Sequence, residues 1–492
     1  MRTPDFATGD SSIHGTATGA DQAGYTERDS PKRTPMTGST VDRDRLARLQ
    51  AREDERFARD HPRSKQLFDR AGGSLLAGVP MHWMVEWAGA FPVFVAEASG
   101  ARFTDVDGNE YVDLCLGDTG AMTGHGPAAT VDAVSDQIRR GTTLMLPTED
   151  SIVCAEELGR RFGLPYWQFA LTATDANRFT IRLARHVTGK PRILVHNWCY
   201  HGSVDETFIT MGDDGAPRTR PYNIGPAVPV PETTRVVEIN DLDALDRELA
   251  HGDVACCLFE PALTNIGIVL PDDGYHAAVR ELTRKHGTLL VIDETHTLCA
   301  GPGGYTRAHD LDPDFLTVGK PLAGGIPAAA YGMSEETAAR VVAALPDGPV
   351  DVGGIGGTLA GNALSLRAMR ATLENVLTEE AYGRMIPLAE RFTDGVEDAI
   401  GRHDLHWYIT RLGCRAEYGF QRLRPRTGGE AAASMDHELD RFMHLYALNR
   451  GVLMTPFHNM ALMSPATTAA DVDRHTAVFA EAVADLAGSG HV

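Results

Sequence analysis

The chain has 492 residues, 43% of them hydrophobic, enough to bury a large core and to form more than one domain. A formal net charge of −21 argues against nucleic acid or an anionic membrane as the main partner. Seven cysteines, odd in number and without CxxC spacing, suggest neither a disulfide framework nor a metal site. No stretch approaches the apolar length of a membrane span, and the N-terminus lacks the regions of a secretory signal, so a soluble cytoplasmic protein is expected.

Residues 1–40 are rich in Gly, Ser, Thr, Asp and Pro, and read as a disordered tail that cannot bury enough surface to offset its ordering entropy. Residues 41–71 are heavily charged, with Leu46, Leu49, Phe57 and Leu67 scattered among them. They predict one or two solvated helices packing on a partner subunit. From 91 to 116 the pattern is one of short strands around a turn at Asp105-Val-Asp-Gly108. Residues 41–119 therefore read as an N-terminal helical segment with part of a smaller domain.

Between 120 and 335, apolar strand-like runs alternate with helical stretches. Strands are predicted at 167–172, 192–196, 255–260, 289–293, 315–318 and 328–332, with helices at 175–187, 242–249 and 275–286. This alternation favours an α/β domain with a mostly parallel sheet flanked by helices. Residues 336–492 carry longer helical segments, ending at 469–487, and read as a smaller α+β domain.

The most informative stretch is 288–325. The apolar run Leu289-Leu-Val-Ile292 predicts a strand covered on both faces, and Asp293 and Glu294 follow at its carboxyl end, where open α/β sheets present ligands. A second run, Phe315–Val318, delivers Lys320 between Gly319 and Pro321-Leu-Ala-Gly-Gly325. Only five lysines occur, and the other four lie in polar or turn-like surroundings. A lysine among small apolar neighbours is poorly solvated, which favours a nucleophilic amine of the kind an aldehyde cofactor requires.

If Lys320 forms an imine with a pyridoxal ring, three further groups are needed. An anion must pair with the ring nitrogen, an aromatic must cover the ring, and donors must hold the phosphate. Asp293 meets the first need. Thr172-Ala-Thr-Asp-Ala176 ends one predicted strand and opens a helix, so its N–H groups and the Thr174 hydroxyl form an anion site, although Thr174 or Asp175 could merely cap that helix. Tyr200 in Tyr200-His201-Gly202 follows the strand at 192–196 and could cover a ring. Gly353-Gly-Ile-Gly-Gly-Thr358 lacks Walker spacing, and no early GxGxxG supports a nicotinamide enzyme.

In this order, over residues 70–485, these segments resemble the class III aminotransferases of fold type I, nearest the glutamate-1-semialdehyde aminomutase and β-amino acid aminotransferase branch. The resemblance implies pyridoxal 5'-phosphate bound through Lys320 of VGKPLAGG and Asp293 of VIDETHT, with Tyr200 stacked on the ring. It implies Ala173 and Thr174 on the phosphate, Glu260 and Asn265 of EPALTNIG near the cofactor, and a homodimer in which Thr358 of GGTLAGN reaches across the interface. Two departures stand out: Ala173 replaces the glycine of the family's SGTEA, and Thr295 replaces the valine of its DEV.

The arginine that relatives acting on β-amino acids place near the C-terminus is missing from Thr455-Pro-Phe-His-Asn-Met460, where His458 stands instead. Arg411 and Arg415 are candidates to replace it, and Met81, Trp83 and Phe457 suggest an apolar pocket wall. The expected activity is aminotransfer from a small amine or β-amino acid donor to a keto acceptor. The alternatives are an aminomutase or decarboxylase with the same cofactor, or a catalytically silent binding protein.

Overall fold

The computed structural model describes residues 41–221, 223–344 and 353–488. The tail predicted over residues 1–40 lies outside these. The centre of the fold is a seven-stranded sheet in the spatial order Tyr166–Ala170, Ala329–Met333, Phe315–Val318, Leu289–Asp293, Val254–Phe259, Arg192–His196, Thr234–Val237. The Ala329–Met333 strand pairs antiparallel with both neighbours and the other pairings are parallel, so six strands share one direction. Four of the seven strands, Val254–Phe259, Leu289–Asp293, Phe315–Val318 and Ala329–Met333, are buried at every position. That matches the continuous apolar runs expected of strands covered on both faces.

Local signals set the helix limits. Thr172 caps the helix Ala173–Thr188 by accepting from the Asp175 N–H at 3.1 Å, and Gly189, at φ +68°, ends it. Helix Ala469–Ala487 opens with a capping box between Thr468 and Asp471 and ends at Gly488 in the left-handed conformation. Among the described residues no helix is long and apolar enough to cross a membrane.

The rest of the chain is assembled from both ends of the sequence. Strands Val95–Ser99, Arg102–Asp105 and Glu110–Asp113 form a meander to which the C-terminal strand Val452–Leu453 adds in parallel. A separate antiparallel sheet, Tyr408–Leu412, Arg415–Gly419 and Met460–Leu462, has helix Glu379–Arg402 packed against it.

The helices Arg43–Asp60 and Pro62–Ala71 form where expected, and the first, largely solvated, docks one face within its own chain. It packs on helix His437–Leu448 of its own chain and buries Leu46, Glu53 and Phe57 on one face. Glu53 explains why so charged a segment docks: its carboxylate accepts from Asn449 Nδ2 and Arg450 Nη1, both at 2.9 Å, and from Arg52. Burial raises the Glu53 pKa, but hydrogen bonds from Arg450 and Asn449 outweigh it and hold the group below its ordinary value.

Removing a carboxylate from such a cluster leaves Arg450 only the more distant, exposed Glu481, at 3.7 Å. We expect Glu53→Ala to lower stability by about 3 kcal/mol at neutral pH, read as a fall in denaturant midpoint. Because the folded pKa is depressed, this contribution is complete above the unfolded value and fades as pH falls through the folded one, so the variant's deficit should shrink in acid. An unchanged midpoint at neutral pH would show that these pairs carry no net stabilisation.

Candidate active site

The parallel strands deliver five chemically distinctive segments to one edge of the sheet. Asp293 is the last residue of its strand, Glu260 follows Val254–Phe259, Lys320 lies two residues beyond Phe315–Val318, Tyr200 and His201 follow Arg192–His196, and Thr172 follows Tyr166–Ala170. This carboxyl edge is where open α/β sheets place their ligands.

Asp293 is buried and held by three donors. His201 Nδ1 and Asn177 Nδ2 both lie 2.8 Å from Oδ2, and the Thr295 N–H donates to Oδ1 at 3.0 Å. Thr317 Oγ1 donates to Asn177 Oδ1 at 2.7 Å, which turns the amide so that its Nδ2 faces the carboxylate. Burial alone would raise the Asp293 pKa, but hydrogen bonding and charge from His201 outweigh it and bring it down to about 2. Burial likewise opposes the His201 charge, yet Cys199 and Asp293 hold that imidazole well above its ordinary value. The pair is ionised at neutral pH.

Lys320 sits at φ +46°, a strained backbone for a non-glycine residue and common at functional sites. Its Nζ lies 2.8 Å from Asp118 Oδ2 and 2.8 Å from His296 Nε2. The amine is thus not left among small apolar groups, as its flanking residues suggested; a carboxylate and an imidazole from outside its own segment receive it. Burial, then Lys320, push His296 well below the ordinary imidazole value, so its ring is neutral and the nitrogen facing Lys320 accepts. The other ring nitrogen lies 3.1 Å from Thr119 Oγ1.

Behind His296 lies a buried charged layer. Arg415 Nη1 is 3.3 Å from His296 Nδ1, and its Nη2 reaches the Thr264 carbonyl and, at 3.3 Å, Glu417 Oε2. Glu417 Oε1 accepts from His458 Nδ1 at 2.8 Å. Burial raises the Glu417 pKa, but His458 and Arg415 outweigh it and keep the carboxyl below its usual range.

A Cβ added to Gly202 would stand 2.0 Å from Thr174 Oγ1, so only glycine lets the Tyr200 loop close over the start of helix Ala173–Thr188. The Ser203 N–H donates to the same hydroxyl at 3.0 Å. Thr295 Oγ1 is buried beside Asp293 with no hydrogen-bond partner. An ionised carboxylate, a lysine amine, a helix start of sixteen residues and an orphaned hydroxyl at one sheet edge fit a protonated pyridine with an aldehyde and a phosphate.

Comparison with known proteins decides the family. Residues 84–483 match the family model described as aminotransferase class-III. The chain belongs to the class III aminotransferases. It is 33% identical over 420 residues to glutamate-1-semialdehyde 2,1-aminomutase of Desulfitobacterium hafniense, covering 84% of this chain and 95% of the relative. The enzyme of the same name from Sorangium cellulosum is 34% identical over 431 residues, covering 86% and 96%. Among solved structures, a glutamate-1-semialdehyde-aminomutase from Pseudomonas aeruginosa PAO1 superposes with TM-score 0.89 at 50% identity, covering 91% of this chain and 99% of that one. A lysine-to-alanine variant of it has been solved in complex with PMP. An omega-transaminase from Sphaerobacter thermophilus reaches 0.78 at 26% identity, covering 86% and 98%. The chain is accordingly a fold type I class III enzyme using pyridoxal 5'-phosphate.

The remaining sequence candidates occupy different places. Ala173, Thr174, Tyr200 and Asn265 are half-buried at or near the sheet edge, and Thr358 is exposed on its loop. Glu260 turns both oxygens to protein, one to the Tyr200 N–H at 3.1 Å and the other to Thr264, so it braces the Tyr200 loop. Trp83 meets Phe457 edge-on at 5.5 Å, next to His458, while Met81 is exposed. Arg415 enters the site but is committed to Glu417; Arg411 does not enter it, pairing instead with Glu390 at 3.1 Å. Strand alternation explains the split, since side chains at odd and even steps leave opposite faces and a turn separates the two arginines.

Sequence reasoning missed Asp118, Asn177 and His296, and His201 as the partner of Asp293, whereas a pairing of Arg415 with Glu417 was among its readings. His296 stood directly after Thr295 in the same motif, and Asn177 directly after TATDA. Asp118 carried no signal at all. For the pair at the centre, Asp293→Asn should drop the His201 titration from well above the ordinary imidazole value to below it, read by histidine-selective 15N NMR. An unchanged His201 titration would show that Asp293 does not set its charge.

Proposed function

We propose that this class III enzyme is an aminomutase, moving an amino group between adjacent carbons of one small substrate, with glutamate 1-semialdehyde the first candidate. One observation carries this reading: the relatives above that share 30% or more of their residues along most of the chain bear that name, as does the solved structure at 50% identity. The aminotransfer expected from the sequence becomes the second reading, favoured by the 26% identical omega-transaminase.

The residues divide the work as follows. Lys320 binds the cofactor aldehyde and, when released, carries a proton at the substrate carbon as general acid and base. Asp293 pairs with the ring nitrogen, and His201 keeps that carboxylate ionised and oriented. Tyr200 covers the ring, braced by Glu260, with Thr295 and Asn265 beside it. Thr174, with the N–H groups of Ala173 and its successors, holds the phosphate. The bound cofactor supplies an electron sink. Met81, Trp83, Phe457 and His458 border the substrate.

We further infer a cytoplasmic homodimer in which Thr358 of each subunit completes the other's phosphate site. Seven free, buried cysteines support the compartment, and the exposed Leu144, Met145 and Leu146 support a covered surface.

The test uses holoenzyme and glutamate 1-semialdehyde carrying 15N on carbon 2, without any keto acid. The expected product carries the label on carbon 1, no free keto compound accumulates, and Lys320→Ala abolishes turnover. Turnover that requires an added keto acceptor and releases one ketone per amine transferred would overturn the aminomutase reading and leave aminotransfer in its place.

A further inference from the structure

Asp118 stands on an unusual loop. Leu116, Gly117, Asp118 and Thr119 all have positive φ, at 44°, 59°, 50° and 79°. Three of the four carry side chains and one is β-branched, so the conformation is costly and persists only because its surroundings impose it. The Leu116 N–H is tied to Asp113 Oδ1 at 2.7 Å, the Ala121 N–H closes on the Leu116 carbonyl at 2.8 Å, and Thr119 meets His296. The result is one carboxylate pushed against the Lys320 amine.

That carboxylate is only half used. Oδ2 receives Lys320, whereas Oδ1 is shut off from solvent and accepts no hydrogen bond. His296 Nδ1 and His458 Nε2 stand 4.0 and 3.9 Å from Oδ1, beyond hydrogen-bonding reach. Burial raises the Asp118 pKa, but Lys320 and its neighbours outweigh it and hold the group well below the ordinary carboxylate range.

The charge balance around Asp118 points to what it is for. Facing one another are two ionised carboxylates, Asp118 and Glu417, a neutral His296, His458, and two cations, Arg415 and Lys320. Arg415 is fixed on Glu417. The ammonium answering Asp118 belongs to the nitrogen that the proposed chemistry consumes, because Lys320 Nζ must bond the cofactor aldehyde. When Lys320 is released as the neutral base of the proposed chemistry, a carboxylate that close to the reacting atoms lacks a cation, with one oxygen already unpartnered.

We propose that Asp118 is the specificity-determining residue that receives the substrate's ammonium group beside the reacting carbon. The proposal rests on the reading that Lys320 carries the cofactor, and it names the substrate class as small amines and amino compounds presented as cations. An enzyme that shifts nitrogen between neighbouring carbons must hold an amino group that is not bonded to its cofactor, and Asp118 is placed to hold it.

The test is equilibrium binding to holoenzyme of N,N-dimethylpropan-1-amine, a tertiary ammonium that cannot condense with an aldehyde, beside butyrate as the anionic counterpart. Calorimetry at fixed ionic strength gives the affinities, and the bound-cofactor absorption band reports site occupancy. The ammonium should bind wild-type holoenzyme more tightly than butyrate does, and Asp118→Asn should weaken it about tenfold or more while leaving butyrate no weaker. Equal ammonium affinity in both proteins would overturn the proposal. Should Asp118→Asn fail to retain the cofactor, wild-type holoenzyme decides alone: butyrate bound as tightly as the ammonium, or more tightly, sinks the idea. A wild-type chain that takes up no pyridoxal phosphate would instead remove the underlying reading.

Discussion

An ionised carboxylate at the end of a fully buried strand is the constraint around which the rest of this molecule is arranged. Asp293 loses most of its hydration, a cost of several kcal/mol for an isolated charge, and the protein offsets it with groups from three other segments. His201 comes from beyond Arg192–His196, Asn177 from helix Ala173–Thr188, and the Thr317 hydroxyl that turns Asn177 from Phe315–Val318. Each donor is correctly placed only if the parallel register of the sheet is correct. Stability of the core and availability of the anion are therefore one requirement, and the covered, mostly parallel sheet is what satisfies it.

Backbone proximity at the same edge accounts for one departure from the family pattern. Ala173 was read from the sequence as replacing the glycine of the family's SGTEA, and the structure shows where its methyl is accommodated. A Cβ added at Gly319 would lie 3.1 Å from the Ala173 methyl and 3.2 Å from its N–H, so the space for that methyl is provided by the glycine preceding Lys320. The two segments approach more closely than two side chains would allow. Gly202 plays the equivalent part toward Thr174. Small residues at these crossings bring three loops onto one point without lengthening any of them.

Elements whose limits follow from short-range chemistry were legible in the sequence. The strands Arg192–His196, Leu289–Asp293 and Phe315–Val318 and the helices Leu242–Leu249 and Ala469–Ala487 lie where apolar periodicity and caps put them. The strand Thr234–Val237 was missed, since a four-residue edge strand containing Thr and Arg has no distinctive pattern. Nor could local pattern reveal that Val452–Leu453 joins a sheet begun at Val95, a contact made across the length of the chain. The same division holds at the site. Lys320 and Asp293 stand at strand ends and could be placed from the runs before them. Asp118 lies in a loop of positive φ whose partners are more than 170 residues away, and nothing in its neighbours distinguishes it from a turn aspartate.

The sequence posed the substrate question as a missing cation, and the structure turns it into a question of balance. Arg415 reaches the site, yet a guanidinium that is fully buried and shared between Glu417 and a backbone carbonyl is already neutralised. Drawing it onto a substrate carboxylate would strand Glu417, a buried anion with only His458 beside it, and breaking a buried pair in that way costs more than an exposed contact returns. The carboxylate of Asp118, by contrast, is partnered by the one group whose charge the reaction alters. Two ion pairs a few ångströms apart thus behave in opposite ways, one locked and one exchangeable. Selectivity in this pocket follows from which of the two a substrate can open at low cost.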